Sequence, residues 1–158
     1  LGIDEVNFTF DGHRIARHRG VRVLNHEELQ NGDVSLEYVG RLMHRTYTDS
    51  PVLRKILQTL WYQINSGQEI YVVGTIQEDG TVRGGTGWGA EFAKLCNKPL
   101  FVFDQEKNGW FEWSGRDWKP RAETPAVAHP HFTGTGTRSI QDNGKRAIED
   151  LFTKSFER

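Results

Sequence analysis

The chain has 158 residues, 36% hydrophobic and 26% charged, with a formal net charge of −1. That length supports one domain with a sizeable core and is short for two ordinary ones. Near-neutral charge argues against the basic field of a nucleic-acid or anionic-membrane binder, and no apolar run approaches the roughly 20 residues that span a bilayer.

One cysteine, Cys96, excludes an internal disulfide framework and fits a reducing, cytoplasmic setting. The start carries no secretory pattern. Leu1-Gly2-Ile3 reads as the end of a helix entering a strand, so an element ahead of it is expected.

Residues 6–10, Val-Asn-Phe-Thr-Phe, alternate apolar and polar with β-branched and aromatic members, which predicts a strand. The stretch 11–20 is dense in His and Arg, with His13, Arg14, Arg17, His18 and Arg19. Residues 21–24 predict a second short strand. Residues 25–40 are polar and leave the element type open, with Asn31-Gly32-Asp33 marking a turn. Ser50-Pro51 is a helix start, proline at the first helical position. Val52, Leu53, Ile56, Leu57, Leu60, Trp61 and Ile64 then recur at helical spacing until Gly67.

A strand over 69–74 follows, then a turn at Gln77-Glu78-Asp79-Gly80 and the glycine run 84–91. The run leads into a helical pattern of Phe92, Ala93, Leu95 and Cys96 that stops at Lys98-Pro99. In that pattern Cys96 reads as a buried packing residue rather than a nucleophile. Residues 99–104 are almost continuously apolar, as expected for a strand covered on both faces of a parallel sheet. Residues 109–113 read as an edge strand or hairpin arm, and 116–128 as a polar, proline-containing connection. A short strand at 131–133 runs into a second glycine loop, 134–138. Ala147, Ile148, Leu151, Phe152 and Phe156 then mark one face of a terminal helix. This alternation predicts an α/β fold of three layers with a mainly parallel central sheet.

The run Gly84-Gly85-Thr86-Gly87-Trp88-Gly89-Ala90-Glu91 carries the chemistry. Four glycines in six residues leave backbone N–H groups open to a bound anion, and the following helix points its positive end at the same place. The run lacks the Lys-Ser/Thr of an NTPase loop and the strict G-x-G-x-x-G spacing of a dinucleotide fold.

It resembles the G-G-x-G-T-x-x-E signature of the lysine-decarboxylase-like, LONELY GUY-type proteins of the SLOG superfamily. Trp88 stands for the usual threonine and Arg83 for the preceding proline. Thr133-Gly134-Thr135-Gly136-Thr137-Arg138-Ser139 is similar to the G-I-G-S/T-R loop of other SLOG members, the DNA-processing protein A relatives. Together with 101–105 and the Trp-Phe-Glu-Trp segment, the two loops resemble an uncharacterised phage and bacterial branch.

The resemblance implies a single Rossmann-like nucleotide-binding domain over 1–158, lacking the serine-glycine-glycine-alanine strand–loop with which such members begin. It also implies a nucleotide-type small molecule as partner, an ADP-ribose-type signal being one candidate, and homo-oligomers. Gly84, Gly85, Thr86, Gly87, Trp88, Gly134, Thr135, Gly136, Thr137 and Arg138 are the expected ligand contacts. The alternative is a phosphoribohydrolase-like enzyme. In it Glu91, in the first helical turn, and Arg54 would cleave the N-glycosidic bond of a nucleoside monophosphate.

Three further residue sets carry a weaker signal. Asp104 ends the buried strand at the carboxyl edge, where open α/β sheets gather ligands; capping the next turn is its equal alternative. The His13–Arg19 cluster reads as a solvated face, with anion contact as the minority role. His129-Pro130-His131 lacks companions at metal-ligand spacing, so neither metal nor cofactor is expected.

Overall fold

The apolar runs at 69–74 and 100–104 form the buried centre of the protein in a computed structural model that describes residues 2–157. In chain order the elements are β1 (Asn7–Phe10), β2 (Val21–Leu24), α1 (His26–Gln30), α2 (Asp33–Leu42), α3 (Pro51–Ser66) and β3 (Glu69–Gly74). They continue with α4 (Thr86–Leu95), β4 (Leu100–Asp104), β5 (Gly109–Trp113), β6 (Trp118–Arg121), β7 (Phe132–Gly136) and α5 (Asp142–Phe156).

Five strands form one sheet in the order β6-β5-β4-β3-β7. β7, β3 and β4 are parallel, β5 runs antiparallel to β4, and β6 runs antiparallel to β5. The sheet is therefore mostly parallel but mixed, because β5 runs against the other four strands. The link from Asp104 to Gly109 is a tight turn with Asn108 in the left-handed region, too short for the crossover a parallel neighbour needs.

Alternation along β3 and β4 sorts the core. Ile70, Val72, Leu100 and Val102 meet Leu36, Leu57, Leu60, Ile64, Trp88 and Phe92 of α2, α3 and α4. Tyr71, Val73, Phe101 and Phe103 point the other way, to Ala147 and Leu151 of α5 and to Trp110. Each large apolar side chain buried this way stabilises the fold by about 1.5–3 kcal/mol.

β1 and β2 form a separate parallel pair. Phe8, Phe10 and Leu24 pack with Leu29 of α1 and with Ile56 and Tyr62 of α3. One helix, α3, thus supports both sheets. Its carboxyl end is stitched to β7, where the Thr133 hydroxyl donates to the Gln63 carbonyl at 2.6 Å. Gly67 is required there, because a Cβ would strike the Thr133 side chain.

Three elements differ from the sequence expectation. The open stretch 25–40 folds as α1, held by a capping box between Asn25 and Glu28, and α2, which buries Leu36, Val39 and Gly40. The polar connection contains β6, where Pro120 is tolerated because the strand is at an edge. Cys96 is exposed, since α4 ends at Leu95 and leaves the thiol at the cap position outside the packed face. Among the described residues no helix is long and apolar enough to cross a membrane.

Candidate functional site

A cleft of about 1160 Å³ opens between the two sheets. The α3 residues Leu53, Ile56 and Leu60 lie along its base, with β7 on one side and β1 on the other. At the carboxyl end of β3 the chain passes through Thr75, leaves for a short excursion, and returns as Gly84-Gly85-Thr86 to line the same cleft. Gly134 to Arg138 line it from β7, and His13 and Arg17 from the segment after β1. Two glycine segments some fifty positions apart therefore share one cavity.

Arg45 holds the first segment in place. Its guanidinium donates to the carbonyls of Gly84 (3.0 Å) and Val82 (3.0 Å), and to the Gln77 and Thr81 side chains. Gly84 sits at φ 73°, a left-handed position that favours glycine. α4 begins at Thr86, earlier than the glycine run suggests, so Gly87, Trp88 and Gly89 lie inside the helix. Gly87 is needed for packing: a Cβ there would collide with the Val82 carbonyl. Gly89 admits Leu60. Trp88 is buried against Tyr47 and over Gly40, away from the cleft.

The second segment also differs from the expected loop. Gly134 and Gly136 continue β7, paired in register with Tyr71 and Val73 of β3. Gly136 lies close to the Val73 backbone, whereas a Cβ on Gly134 would meet nothing within 4 Å. The turn beyond is ordered by Gln105, which accepts from Gln141 N–H (2.6 Å) and donates to the Ser139 carbonyl (3.3 Å). Gln105 lines the cleft and has no assigned role in the sequence reading. Its place just past the carboxyl end of a buried strand is the signal that points to it.

No family model, no curated protein and no solved structure matches this chain.

Three more expected site residues, besides Gly87 and Trp88, stand outside the cleft lining. Asp104 is fully buried, and its carboxylate accepts from the N–H groups of Ile76, Glu106 and Lys107 at 2.8–2.9 Å. That is the capping alternative. Glu91 lies in the second turn of α4 rather than the first and pairs with Lys94 at 3.1 Å. Lys94 in turn lies 4.0 Å from the Trp113 ring centre. Arg54 pairs with Asp33 (3.5 Å) and lies 3.9 Å from the Tyr47 ring centre. Neither Glu91 nor Arg54 lines the cleft.

Charge at the cleft is mostly positive on the side of Arg138, which is exposed and has no ion-pair partner among the described residues. Arg17 is loosely paired with Glu5 at 3.9 Å, and Arg83 with Glu106 at 3.2 Å. His13 stacks on Phe10 and shares a hydrogen bond with the Thr9 hydroxyl at 3.0 Å. Burial and then the nearby Arg138 charge hold its imidazole pKa below the ordinary value. An anion between Arg138 and His13 would relieve that repulsion.

Proposed function

We propose that this chain is a Rossmann-like, three-layer domain of the SLOG type that binds a nucleotide or nucleotide-derived small molecule. The ligand lies at the carboxyl edge of the parallel strands. One observation carries the reading: both glycine segments line the same cleft, with Arg138 and His13 beside them. Gly87 and Trp88 N–H groups already bond back to Gly84 and Gly85, so Thr86 offers the outermost helix-start amide to a phosphate. Arg138 supplies a planar fork for the same anion or a second one.

The glycosidase alternative has less support, because Glu91 is engaged by Lys94 and outside the cleft lining. Binding without turnover is the reading that the residues favour.

The test is a panel of nucleoside monophosphates and ADP-ribose derivatives, followed by thermal shift and by release of free base. A shift with intact ligand recovered is expected, weakened about ten- to a hundredfold by Arg138→Ala. Base release that vanishes in Glu91→Gln would replace binding with catalysis. No shift from any panel member at millimolar concentration would remove the proposal.

A further inference from the structure

The Arg138 side chain is exposed and has no ion-pair partner among the described residues, yet the backbone on either side of it is held. Thr137 N–H donates to the Val73 carbonyl of β3 at 3.0 Å, and Ser139 N–H donates to the Thr137 hydroxyl at 3.1 Å. The chain then enters α5 through Gln141, whose own side chain makes no cap bond. This helix start is tied from another strand instead. Gln105 Oε1 accepts from Gln141 N–H at 2.6 Å, while Gln105 Nε2 donates to the Ser139 carbonyl at 3.3 Å. One side-chain amide thus holds both ends of the 139–141 turn.

Gln105 is itself fixed. Its backbone N–H donates to the Gly74 carbonyl at 3.0 Å, and its carbonyl accepts from Asn143 Nδ2 at 2.9 Å. The residue is 6% exposed, and Gly144 of α5 leaves room for it, since a Cβ there would strike Gln105 Oε1. Its rotamer freedom is therefore already lost in the empty site. The preceding residue, Asp104, ties down the exit of β3 through Ile76 N–H. The carboxyl end of β4 thus braces the exits of both β3 and β7, the two strands that lead to the glycine segments.

We propose that Gln105 is a positioning residue of the ligand site, its amide holding the 137–141 turn so that the Arg138 guanidinium faces the cleft. The inference rests on the nucleotide reading only for what Arg138 then binds. The role needs an acceptor toward Gln141 and a donor toward Ser139, the pair of functions that a side-chain amide carries. A carboxylate would set an oxygen against the Ser139 carbonyl, and methionine would occupy similar space with neither bond. Ser139 and Gln141 are exposed, so water replaces a lost partner there and the fold survives the change. What is lost is order. Without Gln105 the turn stays attached at Thr137 and at α5, but Arg138 spreads over several positions, and an anion must then immobilise it on binding.

The His13 imidazole reports the place of Arg138 without any ligand, because the Arg138 charge is the second cause, after burial, of its lowered pKa. Proton NMR titration of His13, assigned by its loss in His13→Gln, compares the parent chain with Gln105→Met, Gln105→Ala, Arg138→Ala and the double variant Gln105→Met with Arg138→Ala. In either Gln105 variant the His13 pKa should rise toward 6.5, and in the double variant it should match Arg138→Ala alone. Gln105→Ala only removes atoms at the cleft rim, so it keeps the comparison open if methionine overpacks. An unchanged His13 titration in the Gln105 variants overturns the proposal. So does a further rise in the double variant, which would mean general loosening around β1. Affinity for adenosine monophosphate, read by calorimetry, should fall about tenfold in Gln105→Met and no further when that change is added to Arg138→Ala. Equal affinity in Gln105→Met and the parent also overturns it. If adenosine monophosphate binds to none of these chains, the nucleotide reading loses that ligand, and the His13 titration still decides the placing of Arg138.

Discussion

The two glycine segments look alike as sequence and differ in what their glycines do. In 84–89 glycine chiefly permits contact: Gly87 lets α4 sit against the Val82 carbonyl and Gly89 lets it sit against Leu60, while Gly84 supplies a left-handed turn. In 134–136 the closest constraint is ordinary strand pairing with β3, and Gly134 opens onto the cleft. The first segment is thus a packing device whose edge reaches the cleft. The second is a cleft wall. A glycine-rich motif therefore reports close packing at Gly87 and Gly89, but open space at Gly134.

Single substitutions separate these roles, and the largest effect belongs to Gly87→Ala. Its methyl has no room against a backbone carbonyl, so the helix must shift; a loss of about 3 kcal/mol is expected from overpacking. Gly134→Ala, with open space, should stay within about 1 kcal/mol of the parent. Urea unfolding of both proteins checks this. Equal stability in the two variants would erase the distinction.

Arg45→Ala comes next. It removes a guanidinium that joins Gly84, Val82, Gln77 and Thr81, and about 2 kcal/mol should be lost. Amide exchange should quicken across 75–87 and remain unchanged across 132–138. Arg138→Ala inverts the pattern. The side chain is exposed, so stability should move by less than about 0.5 kcal/mol while ligand affinity falls. A matched calorimetric and denaturation series would show whether affinity and stability separate along this line.

The sheet centre and α3 were legible in the sequence because their signals are local. Ser50-Pro51 and Gly67 bound an unbroken apolar period, and β3 and β4 are apolar on both faces because both are covered. α2 was not legible, since its inward face is chiefly Leu36 and Val39 while Val34, Tyr38 and Leu42 stay exposed. β6 was hidden for another reason. Its sequence Trp-Lys-Pro-Arg has little strand propensity, and cross-strand pairs hold it: Trp118 against Trp113, and Arg121 to Glu112 at 2.8 Å.

At the site, the sequence pattern marked both glycine segments, and residues of both line one cleft. The direction of Glu91 was beyond it. Helix rules treat glycine as a breaker, which moves the expected start of α4 toward Glu91. The observed start at Thr86 places that carboxylate one turn later, on the side of Lys94. Tertiary packing of Gly87 and Gly89 decided that phase, and no local pattern contains it.

The smallest expected effect concerns pH, and it compares the β1 and β7 sides of the cleft directly. The His13 pKa lies below its ordinary 6.5 in the folded chain, through burial first and the Arg138 charge second. The folded state therefore holds fewer protons than the unfolded one as pH falls below 6.5. His13 favours folding above that value, and stability is lost as pH falls through the lowered pKa. His13→Gln should flatten this part of the profile.

Binding has the opposite sign. An anion seated between Arg138 and His13 favours the imidazolium, so its arrival raises the His13 pKa and takes up a proton. Affinity should then rise from about pH 8 to about pH 6. Calorimetry in two buffers of different ionisation enthalpy reads that uptake. If affinity falls in Arg138→Ala but binding takes up no proton, the anion contacts β7 alone and His13 belongs to the packing of β1.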